Sequence, residues 1–172
     1  FPTFVVYIDN MLKLDILAFA AHPDDVELTC GGTILQEIKR GKKVGIVDLT
    51  AGELGTRGNK ELRASEAKAA SEVLGITVRE NLGMKDGFFA LDEANQLSII
   101  RMIRKYRPEI ILCNTPSDRH PDHGRASTLV STSVFLARLP KVITSLDDVE
   151  QSAWQTRAVY HYIQDRYHRP DF

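Results

Sequence analysis

The feature that most constrains this chain is a nearly continuous apolar run, Leu14 to Ala21 in "LDILAFAA", halted at once by His22-Pro23. A segment apolar at both odd and even positions suits a strand covered on both faces, as in a parallel sheet. Proline ends it, because Pro23 fixes φ and has no N–H for pairing. The next stretch, "CGGTILQEIKRGKK", puts Ile34, Leu35 and Ile38 at helical spacing and closes on Gly41. The order is strand, loop, helix.

That order repeats along the chain. "KVGIVDLT" (Lys43 to Thr50) predicts a second buried strand, followed by the glycine-rich loop "AGELGTRGN" and an Ala-rich helix from Lys60 to Leu74 that ends at Gly75. Val78 to Leu82 reads as a third, shorter strand. "LDEANQLSIIRMIRKYRP" carries a helical face at Leu97, Ile100 and Ile103 or Met102 and stops before Pro108. "EIILCNTP" is another central strand, His123 to Leu139 a helix, and "RAVYHYI" a last strand. Strands alternating with helices imply an α/β, Rossmann-like fold: a mainly parallel sheet with helices on both faces and right-handed crossovers. One domain is expected over residues 11–172, C-terminally incomplete, with Met11 as a natural start and 1–10 as an upstream extension.

With 172 residues, 43% of them hydrophobic, the chain can bury a substantial core. A net charge of -1 gives no general attraction to nucleic acid or to an anionic membrane. No apolar run approaches the ~20 residues that a membrane span needs, and "FPTFVVYIDN" lacks the features of a signal peptide. Cys30 and Cys113 form no CxxC pair, so a reducing cytoplasm fits best and both read as small buried residues. Homo-oligomerisation stays open.

Two polar clusters follow predicted strands: "AHPDDVE" after the first and "SDRHPDH" after "EIILCN". In open α/β sheets ligands bind beyond the carboxyl ends of the strands, so both clusters are expected in one crevice. Three carboxylates within seven residues raise one another's pKa unless a cation or a proton offsets them. His22 and Asp25, three apart, can aim at one point, and His123 can add a third donor from the second loop. Two histidines and a carboxylate leave an open position, as in a catalytic Zn2+ site, and the same donors suit Fe2+. Asp24, beside Asp25 but projecting differently, is the candidate general base. His120 is placed to stabilise an oxyanion or protonate a leaving amine, and Asp122 to orient and charge that imidazole. Taken singly, "HPDD" is also a turn with an N-cap aspartate; two such clusters at two strand ends favour a metal.

These clusters, with "AGELGTRG" and "ELRASEA", resemble the PIG-L/LmbE-like family of metal-dependent N-acetylglucosamine deacetylases from about Leu14 onward. Within it, the likeness is greatest to the bacillithiol-biosynthesis deacetylases. The resemblance implies His22, Asp25 and His123 as zinc ligands, Asp24 as base, and His120 with Asp122 as the acid and oxyanion-stabilising pair. It also implies Arg63 as a substrate contact, and hydrolysis of a small-molecule N-acetylglucosaminyl conjugate such as N-acetylglucosaminyl-malate. Arg57 and Arg119 are weaker candidates. Glu27 is either a support for the site or a helix N-terminal charge, and Gly31-Gly32 is expected to permit close packing at a helix start. His161 and His168 have no evident partner. Two rivals remain: a nucleotide- or phosphosugar-binding module in which Gly31-Gly32 and the "GELGTRG" loop hold phosphate, and a non-catalytic scaffold with a vestigial metal site.

Overall fold

The computed structural model describes residues 12–56, 58–164 and 169–171. In chain order the elements are β1 (Ile16–Ala20), α1 (Asp25–Lys39), β2 (Val44–Thr50), α2 (Lys60–Leu74), β3 (Val78–Met84) and α3 (Glu93–Tyr106). They continue with β4 (Ile110–Asn114), α4 (Pro121–Ala137), β5 (Ser145–Leu146), β6 (Val149–Glu150) and β7 (Ala158–Tyr162). Five strands pair in parallel in the order β3-β2-β1-β4-β7. The order reverses between β1 and β4, the switch point beyond which ligands bind in open α/β sheets.

The apolar run of β1 is buried at every position, and its pleat divides it between two cores. Leu17 and Phe19 join Ile99, Ile100 and Ile103 of α3 and Leu129 and Val130 of α4. Ile16, Ala18 and Ala20 face Val26, Cys30 and Ile34 of α1. A strand with no polar face can lie only between two helical layers, and β1 does. Cys30 and Cys113 are both buried and unpaired. Among the described residues no helix is long and apolar enough to cross a membrane.

Several boundaries differ from the sequence reading. The first helix starts at Asp25 rather than near Cys30, since Asp25 and Glu27 supply the acidic first turn that favours a helix N-terminus. Gly31 and Gly32 therefore lie inside α1, and an added Cβ would meet nothing closer than 3.9 Å at Gly31 and nothing within 4 Å at Gly32, so close packing does not explain them. The third strand runs two residues further, to Met84. The fourth helix starts at Pro121, where a missing N–H costs nothing. The β5–β6 hairpin was not expected; its turn residues Asp147 and Asp148 have φ of 48° and 62°, as a type I′ turn requires.

Glu27 supports neither histidine. Its carboxylate pairs with Arg79, which also holds Asp48 through Nε at 2.7 Å and Nη2 at 3.0 Å. The guanidinium thus links α1, β2 and β3, and its Nη1 also donates to the Ala67 carbonyl of α2 at 3.1 Å.

Candidate metal centre

The carboxyl ends of β1 and β4 bring the two polar clusters together. His22 follows β1 and turns immediately: Asp24 N donates to His22 O at 2.9 Å, and the His22 amide donates to Asp25 Oδ2 at 3.0 Å. His120 caps α4, its Nδ1 accepting from the Asp122 amide at 3.3 Å, and His123 sits in the first turn behind it. The ring centroids of His22 and His120 lie 4.7 Å apart, those of His120 and His123 4.9 Å, and those of His22 and His123 5.6 Å.

Asp25 lies between the two outer imidazoles. Its Oδ2 is 3.7 Å from His22 Nδ1 and its Oδ1 is 3.3 Å from His123 Nε2. The opposite nitrogen of each ring faces a carboxylate: His22 Nε2 lies 3.0 Å from Asp86 Oδ1 and 3.3 Å from Asp122 Oδ2, and His123 Nδ1 lies 3.2 Å from Asp118 Oδ1. For His22, whose far nitrogen is hydrogen-bonded to Asp86, this presents the near nitrogen as a lone pair, the usual arrangement at a metal, whereas His123 Nδ1 lies near Asp118 without a hydrogen bond of good geometry. Donors of His22, His120 and His123 lie within 4.8 Å of one another, as do those of His22, Asp86 and Asp122. The trio expected from the sequence, His22, Asp25 and His123, is neither of these two sets; Asp25 touches both rings, and two imidazoles with a carboxylate have the donor chemistry of Zn2+ or Fe2+.

Charge follows the geometry. Burial raises the Asp25 pKa, but hydrogen bonding and attraction from His123, the Gln164 amide and the His22 charge outweigh it and hold the carboxyl at about 2. Burial lowers the His123 pKa, and Asp25 and Asp118 reverse this to a net rise. His120 moves down, through burial first and then repulsion from His22 and His123. Because its Nδ1 accepts a hydrogen bond, the neutral ring carries its proton on Nε2. Asp24 is half-exposed at the rim; burial first, and then Asp25, raise its pKa, against the pull of Arg63.

Asp122 does not orient His120 through its carboxylate, as the sequence reading expected. Buried inside the first turn of α4, that carboxylate turns to His22 Nε2, to Gly87 N at 2.8 Å and to Arg125 Nη1 at 2.6 Å. Arg63 reaches within 3.8 Å of Asp24 Oδ2. The glycine-rich loop wraps its guanidinium, since a Cβ added at Gly52 would lie 2.6 Å from Nη1 and one at Gly55 2.7 Å from Nη2. A cavity of about 290 Å³ opens beside Asp24 and Arg63, between α1 and α2. A larger one, about 900 Å³, lies between α2 and β3, and neither cavity is lined by His22, His120 or His123, so volume does not mark the site.

Sequence reasoning missed Asp86, Asp118, Asn114 and Gln164. Asp118 lies within the quoted "SDRHPDH", and Asp86 precedes a glycine in "KDGFF", but only the tertiary fold reveals their partners. His161 has partners after all: its Nδ1 lies 2.8 Å from Asn114 O, 3.1 Å from Ser127 Oγ and 3.3 Å from Cys113 Sγ. Arg119 is exposed. Arg57 and His168 lie outside the described residues.

The family described as GlcNAc-PI de-N-acetylase (PIG-L) matches residues 17–134. Diacetylchitobiose deacetylase of Thermococcus kodakarensis is 33% identical over 135 residues, covering 73% of this chain and 51% of that protein. A probable N-acetyl-alpha-D-glucosaminyl L-malate deacetylase 2 of Bacillus anthracis is 28% identical over 139 residues, covering 73% of this chain and 61% of its own length. Among solved structures, the conserved protein TT1542 of Thermus thermophilus superposes with a TM-score of 0.85 at 38% identity, covering 92% of this chain and 70% of that one. The chain thus spans about half to three fifths of the length of these curated relatives.

Proposed function

The chain belongs to the PIG-L family of de-N-acetylases, and from that premise we propose that it hydrolyses the N-acetyl group of an N-acetylglucosaminyl conjugate, with His22, Asp25 and His123 holding a divalent cation. The observation that carries this reading is the position of Asp25 between two imidazoles, 3.7 Å from His22 Nδ1 and 3.3 Å from His123 Nε2, with a further carboxylate behind each ring. Zn2+ suits these donors, and Fe2+ is compatible with them. When bound, such a cation supplies Lewis acidity towards the amide carbonyl and lowers the pKa of water from about 15.7 to about 7.

The remaining steps belong to side chains. Asp24 takes a proton from the water that adds to the acetyl carbon, and its raised pKa makes it a better base than an ordinary exposed aspartate. His120, neutral with its proton on Nε2, donates to the developing oxyanion. The C–N bond then breaks as the proton held by Asp24 passes to the departing nitrogen, and acetate and the free amine leave. Asp122 acts through His22 in this scheme, holding its Nε2 together with Asp86.

Arg63 is the substrate contact. A guanidinium gathered by a glycine loop beside the base suits a carboxylate on the aglycone, because its planar fork can bind both oxygens. This favours N-acetylglucosaminyl-malate and a place in bacillithiol biosynthesis, and the named activity of the B. anthracis relative supports the same choice. The phosphate-loop rival is weaker, since Gly52 and Gly55 make room for Arg63. A reducing cytoplasm accords with the two unpaired cysteines.

One assay of bound metal and of acetate released from N-acetylglucosaminyl-malate tests the reading. We expect zinc or iron at one equivalent and acetate release in the wild type, no metal in His22→Ala, and full metal with turnover reduced about 10²–10⁴-fold in Asp24→Asn. Metal without acetate would favour the vestigial-site rival, and no metal at all the phosphate-binding one.

A further inference from the structure

We infer that Gln164, aligned by Asn114, is a positioning residue that limits Asp25 to one free lone pair and so sets how tightly the site binds its cation. The inference rests on the metal-site reading above and adds two residues that neither motif contains.

The contacts form a relay with a fixed direction. Asn114, the last residue of β4, accepts from the Ala21 backbone amide through Oδ1 at 3.0 Å. A backbone amide only donates, so this contact fixes which end of the Asn114 side chain carries oxygen. The Asn114 Nδ2 must then point the other way, and there it donates to Asp25 Oδ2 at 3.0 Å and to Gln164 Oε1 at 3.1 Å. That second contact orients Gln164 in turn, so that its Nε2 donates to Asp25 Oδ1 at 2.8 Å. The direction set at Ala21 N–H thus passes through two amides to the carboxylate.

An ionised carboxylate has about four lone-pair sites, two on each oxygen. On Asp25 Oδ2, the His22 amide and Asn114 Nδ2 occupy both. On Oδ1, Gln164 Nε2 occupies one, and the other is on the oxygen that lies 3.3 Å from His123 Nε2. Ligation through Oδ1 alone follows. Amides also hold the carboxylate without cancelling its charge, as Arg or Lys would, so the full negative charge stays available to a dication.

Gln164 follows β7, the strand beside β4, by two residues. The Tyr162 hydroxyl donates to Phe19 O at 2.9 Å and ties this segment across the switch point to β1. Gln164 is half-buried, so replacing it leaves the core intact, whereas Asn114 is buried and also bonds the backbone.

The test is zinc affinity by chelator competition on the full chain in Gln164→Met, which keeps length and loses the donor, beside thermal melts of the metal-free proteins. We expect affinity to fall about 10–100-fold, the usual effect of losing a group that orients a ligand, with an unchanged metal-free melting temperature. Wild-type affinity in folded Gln164→Met would overturn the inference. Should that variant not fold, Gln164→Ala serves in its place, and failure of both to fold would also overturn it by making the residue structural. His123→Ala in the same titration separates the two readings: wild-type zinc affinity there would sink the metal site itself, whatever Gln164 does.

Discussion

His22 Nε2 lies 3.0 Å from Asp86 Oδ1, joining the loop after β1 to the loop after β3. Asp86 also accepts from the Leu54 amide at 2.9 Å, and its own amide donates to Glu53 Oε1 at 2.9 Å. The same carboxylate therefore orients an imidazole and anchors the glycine-rich loop. Asp86→Asn should weaken zinc binding about tenfold, the low end of the usual range, because Asp122 Oδ2 remains 3.3 Å from the same nitrogen. Asp86→Asn with Asp122→Asn should weaken it further than the sum of the two single effects. Chelator competition on the three variants measures both.

Zinc affinity should fall as pH is lowered from 8 to 6. Binding requires His123 as the neutral imidazole, and Asp25 and Asp118 raise its pKa above the ordinary value in the metal-free protein. A raised pKa means that protons compete for the ring at higher pH than at an unperturbed histidine, near 6.5. Asp118→Asn removes one source of the rise and should move the onset of competition to lower pH. Zinc titrations at a series of pH values would show it, and a curve that does not move would discount Asp118.

How much of this was legible in the sequence depended on the range of each interaction. The all-apolar β1 and the Gly75 terminator of α2 announce themselves locally, because burial on both faces and a left-handed cap are properties of short segments. His22, Asp24, Asp25, His120 and His123 stood out because proline-bounded clusters at strand ends have few other uses. Asp86, Asn114 and Gln164 had no such marker: Asp86 reaches His22 across 64 residues, and Gln164 reaches Asp25 across 139. The direction of the Asp122 carboxylate was misjudged for a related reason. Its nearness in sequence to His120 suggested a pair, while burial aimed it across the crevice at His22.

Arg79 pairs with two carboxylates, Asp48 and Glu27. Burial pushes the Asp48 carboxyl up to about 6 even against the pull of Arg79. Arg79→Ala should destabilise the protein by about 3–5 kcal/mol, since it leaves buried charge uncompensated. The sign of the pH effect follows from Asp48. A folded-state pKa above the unfolded value near 3.9 favours folding while the group is protonated, and this advantage is lost as pH rises through the folded pKa. Without Arg79 that pKa rises further, so the loss of stability should be larger at pH 8 than at pH 5. Urea unfolding of wild type and variant at the two pH values gives the difference directly.

Gly52→Ala separates substrate positioning from metal binding. Gly52 has φ of +64°, where a side chain costs roughly 1–2 kcal/mol, and its new Cβ would lie 2.6 Å from Arg63 Nη1. The guanidinium is the far end of a flexible side chain, so it moves rather than the backbone and leaves its place beside Asp24. Losing one charge-assisted contact to a substrate carboxylate, worth about 1.5–3 kcal/mol, should raise KM tenfold or more. No metal donor touches Gly52, so zinc affinity should match the wild type. A KM rise for N-acetylglucosaminyl-malate that vanishes for an uncharged N-acetylglucosaminide would identify the aglycone carboxylate as the partner of Arg63. An equal rise for both would move the contact to the sugar hydroxyls.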